Sequence, residues 1–200
     1  KPNQIKTFSS DEFLQQKIKD ACLELKLPKE IIQGSNQLSL KIIQRIAEKI
    51  IENDAQENIQ ILYTEKKFVW EHLQLEDGTF ATLQGTFDRV DKRHDNSIRI
   101  VDYKTGSINI PAFPNMDDEE KINKFLDTLF IFDKTDYSAP FQGILYALMY
   151  YKLFDVKEIY VAYHHAKNMK DGMVYLNDGN PIGVELLLRF EKRLSTLLSN

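Results

Sequence analysis

Two runs of alternating residues flank a short polar turn. Gly85-Thr86-Phe87-Asp88-Arg89-Val90-Asp91 lies on one side, Ile98-Arg99-Ile100-Val101-Asp102-Tyr103-Lys104-Thr105-Gly106 on the other, and His94-Asp95-Asn96-Ser97 between them. Asp, Asn and Ser favour tight turns because their side chains bond the nearby backbone, so this pattern predicts an antiparallel hairpin. With the turn centred on Asp95, residues equidistant from it face each other: Asp88 meets Asp102, Val90 meets Ile100, and Thr86 meets Lys104. Side chains two apart leave a strand on the same face. One face of the hairpin is therefore expected to carry Asp88, Asp102 and Lys104 together.

That grouping is costly by itself. Two unit charges about 5 Å apart repel by roughly 3 kcal/mol at an effective dielectric near 20, and Phe87, Val90, Ile100, Val101 and Tyr103 leave little room for water. A divalent cation reverses the sign. Mg²⁺ takes hard oxygen ligands, needs only one or two carboxylates and keeps several waters. A water bound to it becomes acidic enough to attack phosphorus, while an ammonium orients that water or offsets phosphate charge. Metal-assisted phosphodiester hydrolysis fits this set. The alternative on spacing alone is an ion pair of Asp102 with Lys104 on an exposed strand, with Asp88 paired to Arg89 or Arg99.

The rest of the chain supplies scaffold. Ser9-Ser10-Asp11-Glu12 offers a helix start, and Phe13, Leu14, Ile18, Cys22 and Leu25 follow at helical spacing until Pro28. Ser39 is placed to cap a second helix with Leu40, Ile43, Ile46, Ala47 and Ile50 on one face, ending near Asn53-Asp54. Strand residues begin at Ile59, with an interruption near Glu65-Lys66-Lys67, and Asp77-Gly78 turns one strand into the next. The acidic run Asp117-Asp118-Glu119-Glu120 suits a helix N-terminus. An apolar helix over 137–154, strands over 156–163 and 173–176, and a closing helix over 184–198 complete the order. The fold class expected is α/β, a mixed sheet flanked by helices. The chain is read as one domain, with a helical part over 1–57 and a core over 58–200; because it does not begin with Met, it is expected to be a piece of a larger protein.

Composition removes other chemistries. One cysteine, Cys22, cannot build a thiolate zinc site or hold an iron-sulfur cluster, and its place among apolar neighbours makes it a small buried hydrophobe. The net charge of -4 argues against a wholly basic polyanion-binding surface and leaves room for a local basic groove. Glycine-rich phosphate loops ending in Lys-Ser or Lys-Thr do not occur, so no ATP site is indicated. His164-His165 would put adjacent side chains on opposite strand faces, which disfavours joint metal ligation. No run is long enough to span a bilayer and no signal peptide is recognisable, so a cytoplasmic protein without membrane contact is expected.

Gly-Thr-Phe-Asp-Arg-Val-Asp at 85–91, Val-Asp-Tyr-Lys-Thr-Gly at 101–106, and Gln142 with Tyr146 on the following helix resemble the RecB-type branch of the PD-(D/E)XK nuclease superfamily, which implies a restriction-endonuclease-like fold. The resemblance covers about half of the chain, from Ile61 to Tyr163. It implies that Asp88 and Asp102 are metal ligands for Mg²⁺ or Mn²⁺ and that Lys104 is the catalytic lysine. Glu65 matches the glutamate that precedes the hairpin, and Gln142 and Tyr146 match a helix motif beside the active site. The branch often carries a metal-binding His on a helix upstream of that glutamate, whereas the first His here is His72; either that helix has been cut from this chain, or the metal relies on Asp88, Asp102 and a backbone carbonyl such as that of Tyr103. The implied activity is a DNA nuclease, exonuclease in type, attached to a helicase segment or subunit or to a repair or recombination protein. A dormant DNA-binding or assembly domain, and an RNA-processing nuclease, remain alternatives. Candidate phosphate contacts are Lys66, Lys67, Arg89, Lys92, Arg93 and Arg99.

Overall fold

The computed structural model describes residues 11–26, 37–106, 108–131, 137–165 and 172–199. Ser9, Ser10 and Pro28, expected to bound the first helix, lie outside the described residues. The chain divides into two compact units, 1–58 and 59–200.

In the first unit, α1 (Asp11–Glu24) and α2 (Gln37–Gln56) are amphipathic helices that pack on each other. Leu14 and Cys22 are buried, as the helical spacing requires, while Leu25 is exposed. Helix α2 already begins at Gln37, so Ser39 sits in its first turn and is not the residue that precedes it.

The second unit is built on a five-stranded mixed sheet with strands side by side in chain order: β1 (Ile59–Gln74), β2 (Phe80–Arg93), β3 (Ile98–Lys104), β4 (Ile159–His165) and β5 (Met173–Tyr175). Strands β1, β2 and β3 form an antiparallel meander, β4 runs parallel to β3, and β5 returns antiparallel. A parallel pair needs a long crossover. Here α3 (Glu119–Leu129) and α4 (Ser138–Phe154) supply it, and α5 (Val184–Ser199) closes the chain. The α/β architecture expected from the sequence is the one found, in the arrangement of a restriction-endonuclease-like fold.

Local chemistry explains the corners. Gly78 turns β1 into β2 with φ +84°, and Asn96 turns β2 into β3 with φ +67° while Asp95 accepts from the Ser97 N–H and hydroxyl. Asp118 caps α3 by accepting from the Lys121 N–H at 3.1 Å, with Glu119 and Glu120 in the first turn. Asp155 ends α4 in a left-handed conformation, and β4 starts at Ile159 rather than at Val156.

Helix α4 lies across one face of the sheet, touches β1 to β4, and is itself flanked by α3 and α5. Its side chains are apolar nearly all round, as a helix covered on several sides requires. Gly143 makes the fit possible: a Cβ there would lie 2.6 Å from Val161 Cγ1 and against the Tyr163 hydroxyl. That hydroxyl donates to the Ala139 carbonyl at 2.9 Å. Among the described residues, no helix is long and apolar enough to cross a membrane.

Candidate active site

The register between β2 and β3 is the one derived from the turn. Lys92 pairs with Ile98, Asp91 with Arg99, Val90 with Ile100 and Arg89 with Val101. There the ladder ends. The pairs of Asp88 with Asp102 and of Thr86 with Lys104 that the extended register would add are not part of it, although on its other side β2 goes on pairing with β1. Beyond Arg89 the two strands part, and the Tyr103 N–H, freed from the ladder, donates to Asp88 Oδ2 at 2.8 Å.

The parting has a visible cause in β1 and β2. Phe87 stacks on Tyr146 of α4, with centroids 4.1 Å apart, and Val90 pairs with Ile100 on this same face. Strict alternation would put residues 87 and 90 on opposite faces. The strand therefore changes face between them, at Asp88 and Arg89. Glu65 is bracketed by the pairs Thr64 with Arg89 and Lys66 with Phe87, so it occupies the register position of Asp88. Its φ of +47° is a left-handed conformation that costs a non-glycine residue of order 1 kcal/mol or more. The expected interruption of β1 near Glu65-Lys66-Lys67 is thus a single strained residue inside one continuous strand.

Asp102 is 7% exposed. Its Oδ1 accepts from Lys104 Nζ at 3.1 Å. Its Oδ2, 2.9 Å from the same nitrogen, is buried without a directed hydrogen bond. Burial raises the pKa of this carboxyl, the Lys104 ammonium opposes the rise, and the charge of Asp88 adds to it. Lys104 Nζ also donates to Gln142 Oε1 at 2.8 Å; Gln142 Nε2 donates to the Tyr146 hydroxyl at 3.0 Å, which donates to the Thr86 carbonyl at 3.0 Å. Three donors belong to an ammonium, and two acceptors are in place. Gln142 and Tyr146 are one helical turn apart, so a single face of α4 holds the lysine and anchors itself to β2. Gly85 completes the anchor, because a Cβ there would sit 2.6 Å from Tyr146 Cε1.

The structure brings together Asp88, Asp102, Lys104, Gln142 and Tyr146, with the Tyr103 backbone between the aspartates. Glu65 reaches the same register position but is exposed. Among the described residues, no three His, Cys, Asp or Glu side chains form a metal-ligating group. The donor set nevertheless fits a hard cation. Two carboxylates on adjacent strands, one with a buried oxygen lacking a hydrogen bond, form an all-oxygen site of the kind Mg²⁺ accepts with waters completing its shell.

Two of the expected phosphate contacts are corrected. Arg89 and Arg99 are 2% and 0% exposed, and both serve Asp91, which has no exposed surface. Arg89 Nε donates to Asp91 Oδ1 at 2.7 Å, and Arg99 donates to Oδ2 through Nε at 3.1 Å and Nη2 at 2.9 Å. A guanidinium enclosed in this way cannot reach a phosphate. Lys66 and Lys67 are exposed, Lys92 is half-buried, and Arg93 lies over the Tyr160 ring. The network continues to Tyr175 through Arg99 and to the Tyr103 hydroxyl through Arg89 at 3.3 Å. His164 stacks on Tyr103, while His165, beside Lys104 in register, belongs to the opposite face. Asp91 and Gly85 were missed as structural determinants by sequence reasoning. The signal for Asp91 was the turn register itself, which pairs it with Arg99.

A family model for the PD-(D/E)XK nuclease superfamily matches residues 4–180. The chain belongs to the PD-(D/E)XK nuclease superfamily. In this chain the hairpin of β2 and β3 and the first turns of α4 carry the cluster described above. No curated protein matches the chain. Among solved structures, one described as the crystal structure of SSO0001 aligns over 93% of this chain and 69% of its own, at 14% identity and a TM-score of 0.36.

Proposed function

We propose that the chain is a metal-dependent deoxyribonuclease of the RecB type, an exonuclease-type domain that serves DNA repair or recombination with a helicase segment or subunit. The observation that carries this reading is the convergence of Asp88, Asp102 and Lys104 where β2 and β3 part. Asp88 and Asp102 would hold Mg²⁺ or Mn²⁺, with Glu65 and the Tyr103 carbonyl as further oxygen donors. The chemistry such a cation would supply, if bound, is a more acidic water and an offset to the charge gathering on phosphorus.

The side chains divide the remaining work. Lys104 has its ammonium fixed by Asp102 and Gln142, leaving one N–H for the attacking water or a non-bridging phosphate oxygen. Gln142 can accept from Lys104 only while its amide donates to Tyr146, so Tyr146 sets the orientation of the amide and hence of the lysine. A group held this way acts in the transition state without reorganising, which is where preorganised charge is most effective. Lys66 and Lys67, exposed on opposite faces of the strand that borders the site, are candidate phosphate contacts.

Labelled single- and double-stranded DNA and RNA, incubated with the full chain in Mg²⁺, Mn²⁺ or EDTA, test the proposal. Cleavage of DNA that requires the cation is the expected result. Preferential cleavage of RNA would reassign the substrate, and cation-independent binding without cleavage would favour the dormant DNA-binding domain.

A further inference from the structure

His165 ends β4 and pairs with Lys104 in the parallel register of β3 and β4, as Tyr163 pairs with Asp102 and His164 with Tyr103. Partners across two strands share a face of the sheet, and successive residues take opposite faces. The stack of Tyr103 on His164 marks one face. The other carries Asp102, bonded to Lys104, and Tyr163, whose hydroxyl reaches the Ala139 carbonyl of α4. His165 therefore stands on the face of Asp102 and Lys104. Across that face the order is Asp88 on β2, Asp102 and Lys104 on β3, and His165 on β4, so the histidine flanks the lysine on the side away from Asp88.

Nothing in the proposed chemistry engages this imidazole. Its Nε2 is buried with no hydrogen-bond partner, whereas the residue keeps part of its surface exposed, which leaves Nδ1 as the outward nitrogen. Neutral imidazole is a donor at one nitrogen and an acceptor at the other. A proton on Nε2 would bury an unpaired N–H, at the desolvation cost of a donor. A proton on Nδ1 leaves only a lone pair inside and turns a donor outward, on the face that carries the Lys104 ammonium. A donor so placed suits an anion. We propose that His165 Nδ1–H holds a substrate phosphate adjoining the scissile one. The inference rests on the nuclease reading for where the scissile phosphate lies. Nucleic acid repeats its charge at every nucleotide. With Asp88, Asp102 and Lys104 engaged at one phosphate, the next falls to the residue one strand further across the sheet. His165 is a substrate contact and takes no part in proton transfer.

The test measures binding of a single-stranded oligonucleotide to the full chain in EDTA, where the strand stays whole. His165→Leu should weaken binding about tenfold, as loss of one hydrogen bond to a charged group does. His165→Asn puts an amide N–H near the place of Nδ1 and should bind as wild type does. His165→Gln carries its amide out to the place of Nε2 and should bind as weakly as the leucine variant. A methylphosphonate, which removes the charge and an acceptor oxygen at one linkage, is then walked along the oligonucleotide. One linkage should weaken binding to wild type and leave binding to His165→Leu unchanged, since both changes remove the same bond. Equal affinity of wild type and His165→Leu, or additive losses at every linkage, overturns the contact, and so does a wild type that binds no oligonucleotide. Recovery by glutamine and not by asparagine overturns the assignment to Nδ1. Should the leucine variant fail to fold, the imidazole nitrogen resonances of wild type decide: the His165 Nδ1 signal, identified by its loss in His165→Asn, should move when oligonucleotide is added, and an unmoved signal overturns the proposal. Cation-dependent cleavage with equal affinities removes the contact and leaves the nuclease reading standing. Weaker binding by the leucine variant, with no cleavage by wild type in Mg²⁺ or Mn²⁺, removes that reading and leaves a phosphate contact.

Discussion

The Tyr103 N–H and Asp88 Oδ2, 2.8 Å apart, form the first contact across β2 and β3 after their ladder ends at Arg89 and Val101. A side chain has taken over a bond that a neighbouring carbonyl would otherwise make, and in doing so it keeps the Asp88 carboxylate turned toward Asp102. Asp88→Asn preserves an acceptor for that N–H and removes the charge. Its melting temperature without divalent cation should therefore stay close to wild type. Mg²⁺ at a hundred times its Kd should stabilise wild type by about 2.7 kcal/mol, and the variant should lose most of that gain. An undiminished rise in the variant places the cation elsewhere.

Lys104→Ala should reduce cleavage at least about a hundredfold and leave Mn²⁺ binding intact, because the ammonium acts on the chemical step and cannot ligate a cation. Parallel measurement of turnover and of Mn²⁺ binding separates these effects. Equal turnover in variant and wild type would remove Lys104 from the mechanism.

Gly85→Ala forces a methyl group to within 2.6 Å of Tyr146 Cε1. Overpacking of this kind costs about 1–3 kcal/mol, and it shifts the hydroxyl that orients Gln142. Urea midpoints should fall, and turnover should fall with them. Pairing the substitution with Tyr146→Leu should recover stability without recovering turnover. Additive stability losses in the double variant would show that the two positions do not meet.

Asp102 gives a pH dependence in EDTA. Burial raises its pKa, so the folded state holds the proton more tightly than the unfolded chain. Stability from this group is full below the ordinary carboxylate pKa and is lost as pH rises through the raised folded value. Asp102→Asn carries no charge at any pH. It should melt higher than wild type at pH 7, by about 2–4 °C for each kcal/mol relieved in a chain of this size, and its melting temperature should vary less between pH 4 and 7, a window set by the usual carboxylate range. A lower melting temperature at pH 7 would mean that the pairing with Lys104 outweighs the desolvation.

Asp91→Ala removes the buried carboxylate that both Arg89 and Arg99 bond in the interior. Breaking a buried pair in this way costs about 3–5 kcal/mol, a large part of the usual stability of a domain. Because Asp91 and Arg99 have no exposed surface, salt should change the loss little, and urea melts at low and high ionic strength would show it.

The hairpin and its register were legible because a turn of Asp, Asn and Ser fixes which residues face each other. The shared face of Asp102 and Lys104 follows from the period of a strand, whereas Asp88 meets them beyond the end of the ladder, through the Tyr103 N–H. The failures share one origin. Alternation separates two faces without saying which of them other parts of the chain will cover, so Arg89 and Arg99 read as surface charges although β2 is buried on both sides beyond Phe87. The same rule cannot anticipate the change of face at Asp88 and Arg89, since it depends on Phe87 stacking on Tyr146 of a helix far along the chain. Glu65 shows the limit most plainly: its three-residue neighbourhood signalled an irregularity, but only the paired strands reveal a left-handed residue in an unbroken run.

The parallel pairing of β3 with β4 also sets the order of events when the chain refolds. The meander of β1, β2 and β3 closes through short turns, whereas Gln142 reaches Lys104 only after α4 has packed back across the meander. Non-local pairings of this kind form slowly. A refolding chain should recover strand signal, and the proximity of its two aspartates, before it recovers a lysine held by α4. If the proposed nuclease activity holds, cutting would be withheld until α4 has packed onto the meander, and the partly folded chain would lack its ordered lysine.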